Sequence, residues 1–481
     1  MVQLPTPDYP SEIPLPLTVH QMTVPEAVSR LLSFVNSSPT PFHAVQVAAL
    51  RLENAGFSKL RERDDWERTL QGGGKYYMTR NQSCILAFTV PPKWKPGVGV
   101  SIVGTHIDSP NLRVRPVSKR TKAGYLQVGV ETYGSGLWYT WFDRDLSLAG
   151  RIILKEKHGG FVSRLVKINR PILRIPSLAI HLDRGAADKF SFNQETEMVP
   201  ILGLVENELN SASTSSKITS GVQENHHSSL LALLSQELSV SPEDIHDFEL
   251  HLYDTQLSQL GGLNEEFVFS PRMDNQFSSF CAVDAIVNFA ESRSYSTFQG
   301  NVNCIVLFNH EEIGSVSTTG AESSFILSLL NRLSPTPGTL AQSISRSFLI
   351  SCDMTHALHP NFMSRHEDNH APMINGGIAI KINAKQRYAT DAIGSLIIKQ
   401  LAEKKGGKVQ YYEVRNDMVC GSTIGPALSK TGIRTVDVGC PMLSMHSNRE
   451  TAGTRDVQSA LDLFTAFFES FAELDQTLPV D

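Results

Sequence analysis

Cysteine is sparse: the 481 residues contain six, Cys84, Cys281, Cys304, Cys352, Cys420 and Cys440. They are scattered, mostly inside apolar runs, and none forms a CxxC pair. This argues against a disulfide framework and against a zinc site built on thiolates. It suits reduced core thiols and a cytoplasmic compartment. No apolar run approaches the ~18 residues that mark a membrane span, so no membrane partner is expected. The first residues, MVQLPTPDYPSEIPLPL, lack the basic and continuous apolar regions of a secretory signal. Their prolines oppose regular structure, so residues 1–22 are expected to form a flexible tail. An excess of positive charge is also missing. The net charge of −6 leaves no electrostatic footprint for nucleic acid. It also repels acidic ligands at long range, so an acidic substrate would need a local cation.

The composition is that of an ordinary globular protein, with 41% apolar and 19% charged residues. The length exceeds one hydrophobic core, so two domains or one with a large insertion are expected. From about Thr23 to Ala55 the spacing predicts two helices broken at SSPTPFH. KYYMTR and SCILAFTV predict strands joined by a turn at Asn81. From Pro116 to about Leu260 the texture changes to short alternating segments, among them YLQVGVETY, LSLAGRIILKE and LAIHLDR. The polar stretch NSASTSSKITSGVQENHHSS within this block predicts a flexible loop. After SPRMDNQ, strands and helices alternate to a closing amphipathic helix. The expected organisation is a flexible tail, a first α/β part over 23–115, a β-rich insertion over 116–262 and a second α/β part over 263–481. The expected class is α/β, a mixed sheet covered by helices.

The chemistry gathers at strand ends. VSIVG runs into Thr105-His106-Ile107-Asp108, and CIVLF into Asn309-His310-Glu311-Glu312. FLISC ends at Asp353, with His356 and His359 just beyond, and TVDVG leads through a loop to His446. Open α/β sheets bind ligands beyond the carboxyl ends of their strands, so one fold would bring these groups together. Asp274, at the head of a helix, can face the same crevice. Taken singly, each has an ordinary explanation: a loop histidine, a solvated acid pair, or an N-cap. Four strand ends with the same chemistry point instead to a metal site. Oxygen and imidazole donors without thiolate suit Zn²⁺, Mn²⁺ or Co²⁺ at a hydrolytic centre. In an extended segment Glu311 and Glu312 would point opposite ways, one toward metal and one toward substrate. Asp108, two residues beyond His106, can orient its imidazole.

GTHIDSPNLRVRP, YGSGLWYTWFDRDLSLAGR, SPRMDNQFSSF, FNHEEIGSVSTTGAESS, SCDMTHALHPNF, CGSTIGP and MHSNRE together resemble the M18 family of metallopeptidases. The resemblance runs in order from about residue 25 to the C-terminus. It implies a dizinc catalytic domain interrupted by a β-rich dimerisation domain. It further implies Asp274 as the bridging ligand, His106 and Asp353 as ligands of one zinc, and Glu312 and His446 as ligands of the other. Glu311 would be the general base and Asp108 the acid that orients His106. The implied reaction is hydrolysis of the first peptide bond of peptides with unblocked N-terminal Asp or Glu. Lys381 would meet the acidic side chain, with Lys385 and Arg387 as weaker alternatives. His181 would reach a neighbouring subunit's active site within a dimer-built homo-oligomer, up to a dodecamer. His356 could line the pocket, and the CGSTIGP loop could offer backbone N–H groups. Two rivals are a carboxypeptidase or deacylase on a similar scaffold and a non-catalytic assembly protein. The family includes vacuolar forms delivered through an N-terminal propeptide. The Pro-rich start here does not resemble an amphipathic helical one, so cytoplasm is expected.

Overall fold

The computed structural model describes residues 24–206 and 221–478. The expected tail, 1–22, lies outside the described residues. Pro41 follows the N-cap Thr40 and starts the helix Pro41–Asn54, so SSPTPFH separates it from Glu26–Ser37.

A nine-stranded mixed sheet forms the centre. Its order is Ser58–Lys59, Gly74–Arg80, Cys84–Val90, Val302–Phe308, Val100–His106, Phe348–Cys352, Arg434–Gly439, Ala379–Ile382 and Gln410–Glu413. Val302–Phe308, Val100–His106, Phe348–Cys352 and Arg434–Gly439 are adjacent and parallel. Each of the first three is buried along its whole length. Both faces are covered, so these strands are nearly continuous apolar runs. Alternate residues serve opposite cores. Val103, Ile305 and Ile350 meet the helices Met273–Glu291 and Thr454–Asp475. Ile102, Val306 and Leu349 meet Phe325–Leu333 and Ile424–Ser429. The expected α/β class is the observed one.

A second, six-stranded antiparallel sheet takes all its strands from residues 111–254. The helix Ser228–Leu238 packs Leu230, Leu234 and Leu238 into the same core as Ile152 and Leu250. A third sheet joins Gln259–Gly261, Phe267–Ser270, Glu450–Gly453, Pro441–Leu443 and Thr355–His356. Strands of two to four residues are too short to show a period, and the sequence did not reveal this sheet.

Two local expectations are corrected. LAIHLDR is not a strand: residues 180–182 form a turn, and no neighbouring strand covers Leu178, Ile180 or Leu182, which are 61%, 49% and 76% exposed. In the polar stretch, 207–220 lie outside the described residues. Gly221–Asn225 is helical, and His226 and His227 are buried. Polar composition misled there because both imidazoles have partners: Ser118 Oγ is 2.8 Å from His226 Nδ1, and the Arg120 carbonyl is 2.9 Å from His227 Nε2.

Candidate active site

The four parallel strands deliver their acids and histidines to one cleft at their carboxyl ends, as the sheet topology requires. The cleft measures about 650 Å³ and includes His106, Asp274, Glu311, Glu312, Asp353 and His446 in its lining. A larger cavity of about 810 Å³ lies between strand Ile201–Leu204 and helix Ser228–Leu238, but it contains none of these residues.

Asp274 sits at the centre. Its helix is interrupted here: Asp274 and Asn275 have non-helical backbone angles, across a cis peptide bond. Asn275 Nδ2 donates to the Cys352 carbonyl at 2.8 Å, and Ser109 Oγ donates to the Asp274 carbonyl at 2.5 Å. Asp274 Oδ1 lies 3.4 Å from His106 Nε2, and Oδ2 lies 3.2 Å from His446 Nε2. Asp353 Oδ1 is 3.3 Å from His106 Nε2, and Glu312 Oε2 is 3.3 Å from His446 Nε2. Two sets of possible metal ligands result: His106, Asp274 and Asp353, and Asp274, Glu312 and His446. Within each set the ligand atoms lie within 4.8 Å of one another.

This cluster suits a cation. Asp274 Oδ1, with only the 3.4 Å approach of His106 Nε2, and Glu312 Oε1 are buried and make no well-formed hydrogen bond. A buried, unpartnered carboxylate oxygen is costly, and a bound cation removes that cost. Burial, then the charge of Asp274, raises the Glu312 carboxyl well above its usual range. Burial, then Asp353, Asp108 and Asp274, pushes Glu311 to about 8 against the pull of His106. Burial opposes protonation of His106, yet Asp108, Asp274 and Asp353 hold it well above the usual histidine value.

The Glu311-Glu312 pair is not extended. His310 at φ +63 turns the chain into one 3-10 turn, Glu311–Ile313. Both carboxylates still line the cleft. The turn aims both amide N–H groups at Asp108, whose oxygens accept them at 3.2 and 3.1 Å. Tyr133 Oη also donates to Asp108 at 2.8 Å. Asp108 Oδ1 is 3.5 Å from His106 Nδ1, whereas the Asp108 main-chain carbonyl is 3.0 Å away. The carbonyl makes the shorter contact with the imidazole, while the carboxylate braces the glutamate turn.

His446 is fixed from two sides. The Ser135 carbonyl is 2.9 Å from its Nδ1, which leaves Nε2 facing Asp274 and Glu312. The His446 carbonyl accepts the Leu137 N–H at 2.9 Å. Gly134, at φ +77, lets this loop pass; a Cβ there would come within 3.2 Å of Glu312 Cβ. Glu450 was not singled out in the sequence. It is 2% exposed, and its two oxygens accept the N–H groups of His446 at 2.7 Å and Asp274 at 3.1 Å. Its position four residues after His446 was the available signal. Tyr133 and Ser135 offered none, because their roles depend on the loop's path.

Lys381 is 2% exposed and lines the cleft. Its Nζ donates to the Met354 carbonyl at 2.7 Å and lies 3.6 Å from Asp353 Oδ2. His356, exposed at the end of its short strand, lines the same wall, and desolvation followed by the charge of Lys381 lowers it to about 4. His359 is turned to its own loop, where Nδ1 accepts the Asn361 N–H at 3.2 Å. In CGSTIGP, Gly421, Ser422 and Thr423 line the cleft, and Thr423 also caps the helix Ile424–Ser429. Arg387 lies on the cleft wall, whereas Lys385 opens onto a neighbouring cavity. His181 is exposed and does not line its own chain's cleft.

Residues 34–468 match the family described as aminopeptidase I zinc metalloprotease (M18). The chain belongs to the M18 family. Aspartyl aminopeptidase of Aspergillus oryzae is 48% identical, over 94% of this chain and 97% of the relative. Aspartyl aminopeptidase 1 of Schizosaccharomyces pombe is 49% identical, over 94% and 96%. The fold matches a chain in the solved complex of Ape4 and Nbr1 with a TM-score of 0.92, at 47% identity over 97% of this chain and 89% of that one. It matches the solved mApe1 dodecamer with a TM-score of 0.83, at 29% identity over 95% and 99%. The M18 protein described here is therefore a zinc metalloprotease of the aminopeptidase kind, a hydrolase acting at chain ends. That excludes the carboxypeptidase and deacylase readings.

In Glu450→Gln one amide N–H₂ must face a main-chain N–H. Outer-layer partners of this kind tune metal affinity by about 10–100-fold. The variant is expected to lose zinc to a competing chelator at a correspondingly lower chelator concentration. Wild-type retention would remove Glu450 from this role.

Proposed function

We propose that this chain removes unblocked N-terminal Asp or Glu from peptides, using two zinc ions at the paired ligand sets. Asp274 carries the reading, because its two oxygens face His106 on one side and His446 on the other. His106, Asp274 and Asp353 would hold one ion, and Asp274, Glu312 and His446 the second. The same donors accept Mn²⁺ or Co²⁺. When bound, the ions supply Lewis acidity at the scissile carbonyl and acidify the attacking water.

The remaining steps belong to side chains. Glu311 projects into the cleft with Oε2 3.9 Å from His106 Nε2. Its carboxylate accepts the water proton and passes it to the departing amine. Asp108 holds the turn that aims Glu311 and Glu312. The substrate's free α-amine is drawn to the closed, acid-rich end, which makes the reaction exo-acting. Lys381 meets the acidic first side chain from the cleft wall, beside His356. The names of the relatives, aspartyl aminopeptidases, support this specificity.

His181 acts on the active site of a neighbouring copy in a homo-oligomer built from dimers. Its neighbours Leu178, Ile180 and Leu182 are exposed apolar groups on the same segment, the character expected of a surface covered by a second copy. The dodecameric mApe1 supports assembly of this kind. The unpaired cysteines, buried except for the half-buried Cys420, support a reducing, cytoplasmic compartment.

Glu311→Gln should keep its zinc but lose about 10²–10⁴-fold in kcat. Near-normal turnover in the zinc-loaded variant would exclude Glu311 as the base. Lys381→Ala should lower kcat/KM at least ~30-fold for Asp-p-nitroanilide, because a buried charge partner is lost. Ala-p-nitroanilide should change far less; equal losses on both substrates would refute the assignment. For His181, inactive Glu311→Gln and weakened His181→Ala copies are to be co-expressed. Mixed oligomers should recover activity that neither variant has alone. No recovery in verified mixed oligomers would count against action across subunits.

A further inference from the structure

We infer that Arg387 forms a second anion site, at the mouth of the catalytic cleft, which binds a carboxylate on the departing part of the peptide. This rests on the aminopeptidase reading, because direction matters. Such an enzyme takes the substrate's N-terminus to the closed end, so the rest of the peptide must leave by the mouth. Lys381, 2% exposed, marks the inner wall, whereas Arg387 is exposed. Arg387 lines both the catalytic cleft and an adjoining cavity of about 410 Å³ that Lys385 and Arg415 also line. A peptide leaving the first cavity can enter the second past this side chain.

Arg387 is held ready. Its Nε donates to the Gly421 carbonyl at 3.2 Å, and Ser422 Oγ donates to the Arg387 carbonyl at 3.0 Å. Behind them, fully buried Asp437 ties the two segments together. It accepts the Ala389 N–H at 2.6 Å and the Thr423 hydroxyl at 2.5 Å. With Nε anchored, the two terminal nitrogens form the free edge of the guanidinium, and they have no hydrogen bond or ion pair among the described residues. Three nearby cations differ, while Lys385, without an ion pair among the described residues, lines the second cavity but not the catalytic cleft. Lys381 lies beside Asp353, Lys430 pairs with Glu322 at 3.2 Å, and Arg415 is held by Asp417 at 2.9 and 2.7 Å. A planar fork with two free N–H₂ groups matches a carboxylate. Glu413 is the acid among the residues lining the second cavity, where it faces the cations Lys385, Arg387 and Arg415.

The test uses the zinc-loaded full chain and three amidated tetrapeptides, Asp-Ala-Ala-Ala, Asp-Glu-Ala-Ala and Asp-Ala-Glu-Ala, with released Asp measured. The wild type should favour at least one Glu peptide over the neutral one, mainly through KM. Because the group is exposed, the preference should be about two- to fivefold and should shrink as salt rises. Arg387→Gln should bring the ratio near one, and Arg387→Lys should restore part of it. A wild-type ratio of one, or a ratio unchanged in Arg387→Gln, would overturn the inference. All three peptides begin with Asp, so the ratio does not depend on how the first side chain is selected. Failure of the wild type to release Asp from any of them would instead count against the acidic-substrate reading.

Discussion

The structure depends on holding a crowd of carboxylates together where water is scarce. Asp108, Asp274, Glu312 and Glu450 are buried or nearly so, with Glu311 and Asp353 on the cleft wall beside them. Two histidines and one lysine face them. Bringing like charges out of water is expensive unless each finds donors or a cation. The fold uses both solutions. Asp108 and Glu450 are satisfied by main-chain N–H groups, while Asp274 and Glu312 each keep an oxygen without a well-formed hydrogen bond. The first pair is thereby suited to bracing and the second to binding metal.

That division explains the surrounding architecture. Parallel strands bring His106, the glutamate turn and Asp353 to one edge of the central sheet. His446 arrives differently, through the small third sheet, whose strands also carry His356 and Glu450. The loop at Ser135–Leu137 follows the strand Tyr125–Tyr133 of the antiparallel sheet and bonds to His446 at both ring and backbone. The antiparallel sheet thus touches the candidate site at two points, through this loop at His446 and through Tyr133 at Asp108.

Much of this was legible in the sequence because strand ends carry a local signal. An apolar run followed by His, Asp or Glu can be seen without knowing the fold, and four such runs mark a common edge. The α/β class followed from the alternation of strands and helices. The braces were not legible. Glu450 acts through the main-chain N–H groups of nearby His446 and of Asp274, which is distant in sequence, and Tyr133 reaches Asp108 across the sheets. The backbone at Glu311 was misread because His310 adopts a left-handed angle, which no periodicity shows. LAIHLDR has the alternation of a strand but no neighbouring strand to pair with, so pattern alone failed. The stretch around His226 and His227 failed for the opposite reason: polar residues found buried partners.

The cleft also separates two demands that composition alone would set against each other. A chain of net charge −6 repels acidic peptides at a distance, and its catalytic centre adds more negative charge. An acidic side chain, as proposed, would enter only where a cation lies close, and Lys381 is a buried cation on the cleft wall. Lys381 is already engaged with Asp353 and Met354, so its charge is partly used within the protein. A cation with free donors is more effective at the mouth, where an incoming anion first meets the cleft. Arg387 has that property because Asp437 and the Gly421–Thr423 segment fix its position without neutralising it. On the proposed reading, attraction at the mouth and selection at the cleft wall can be varied separately, because the two cations are held by different partners.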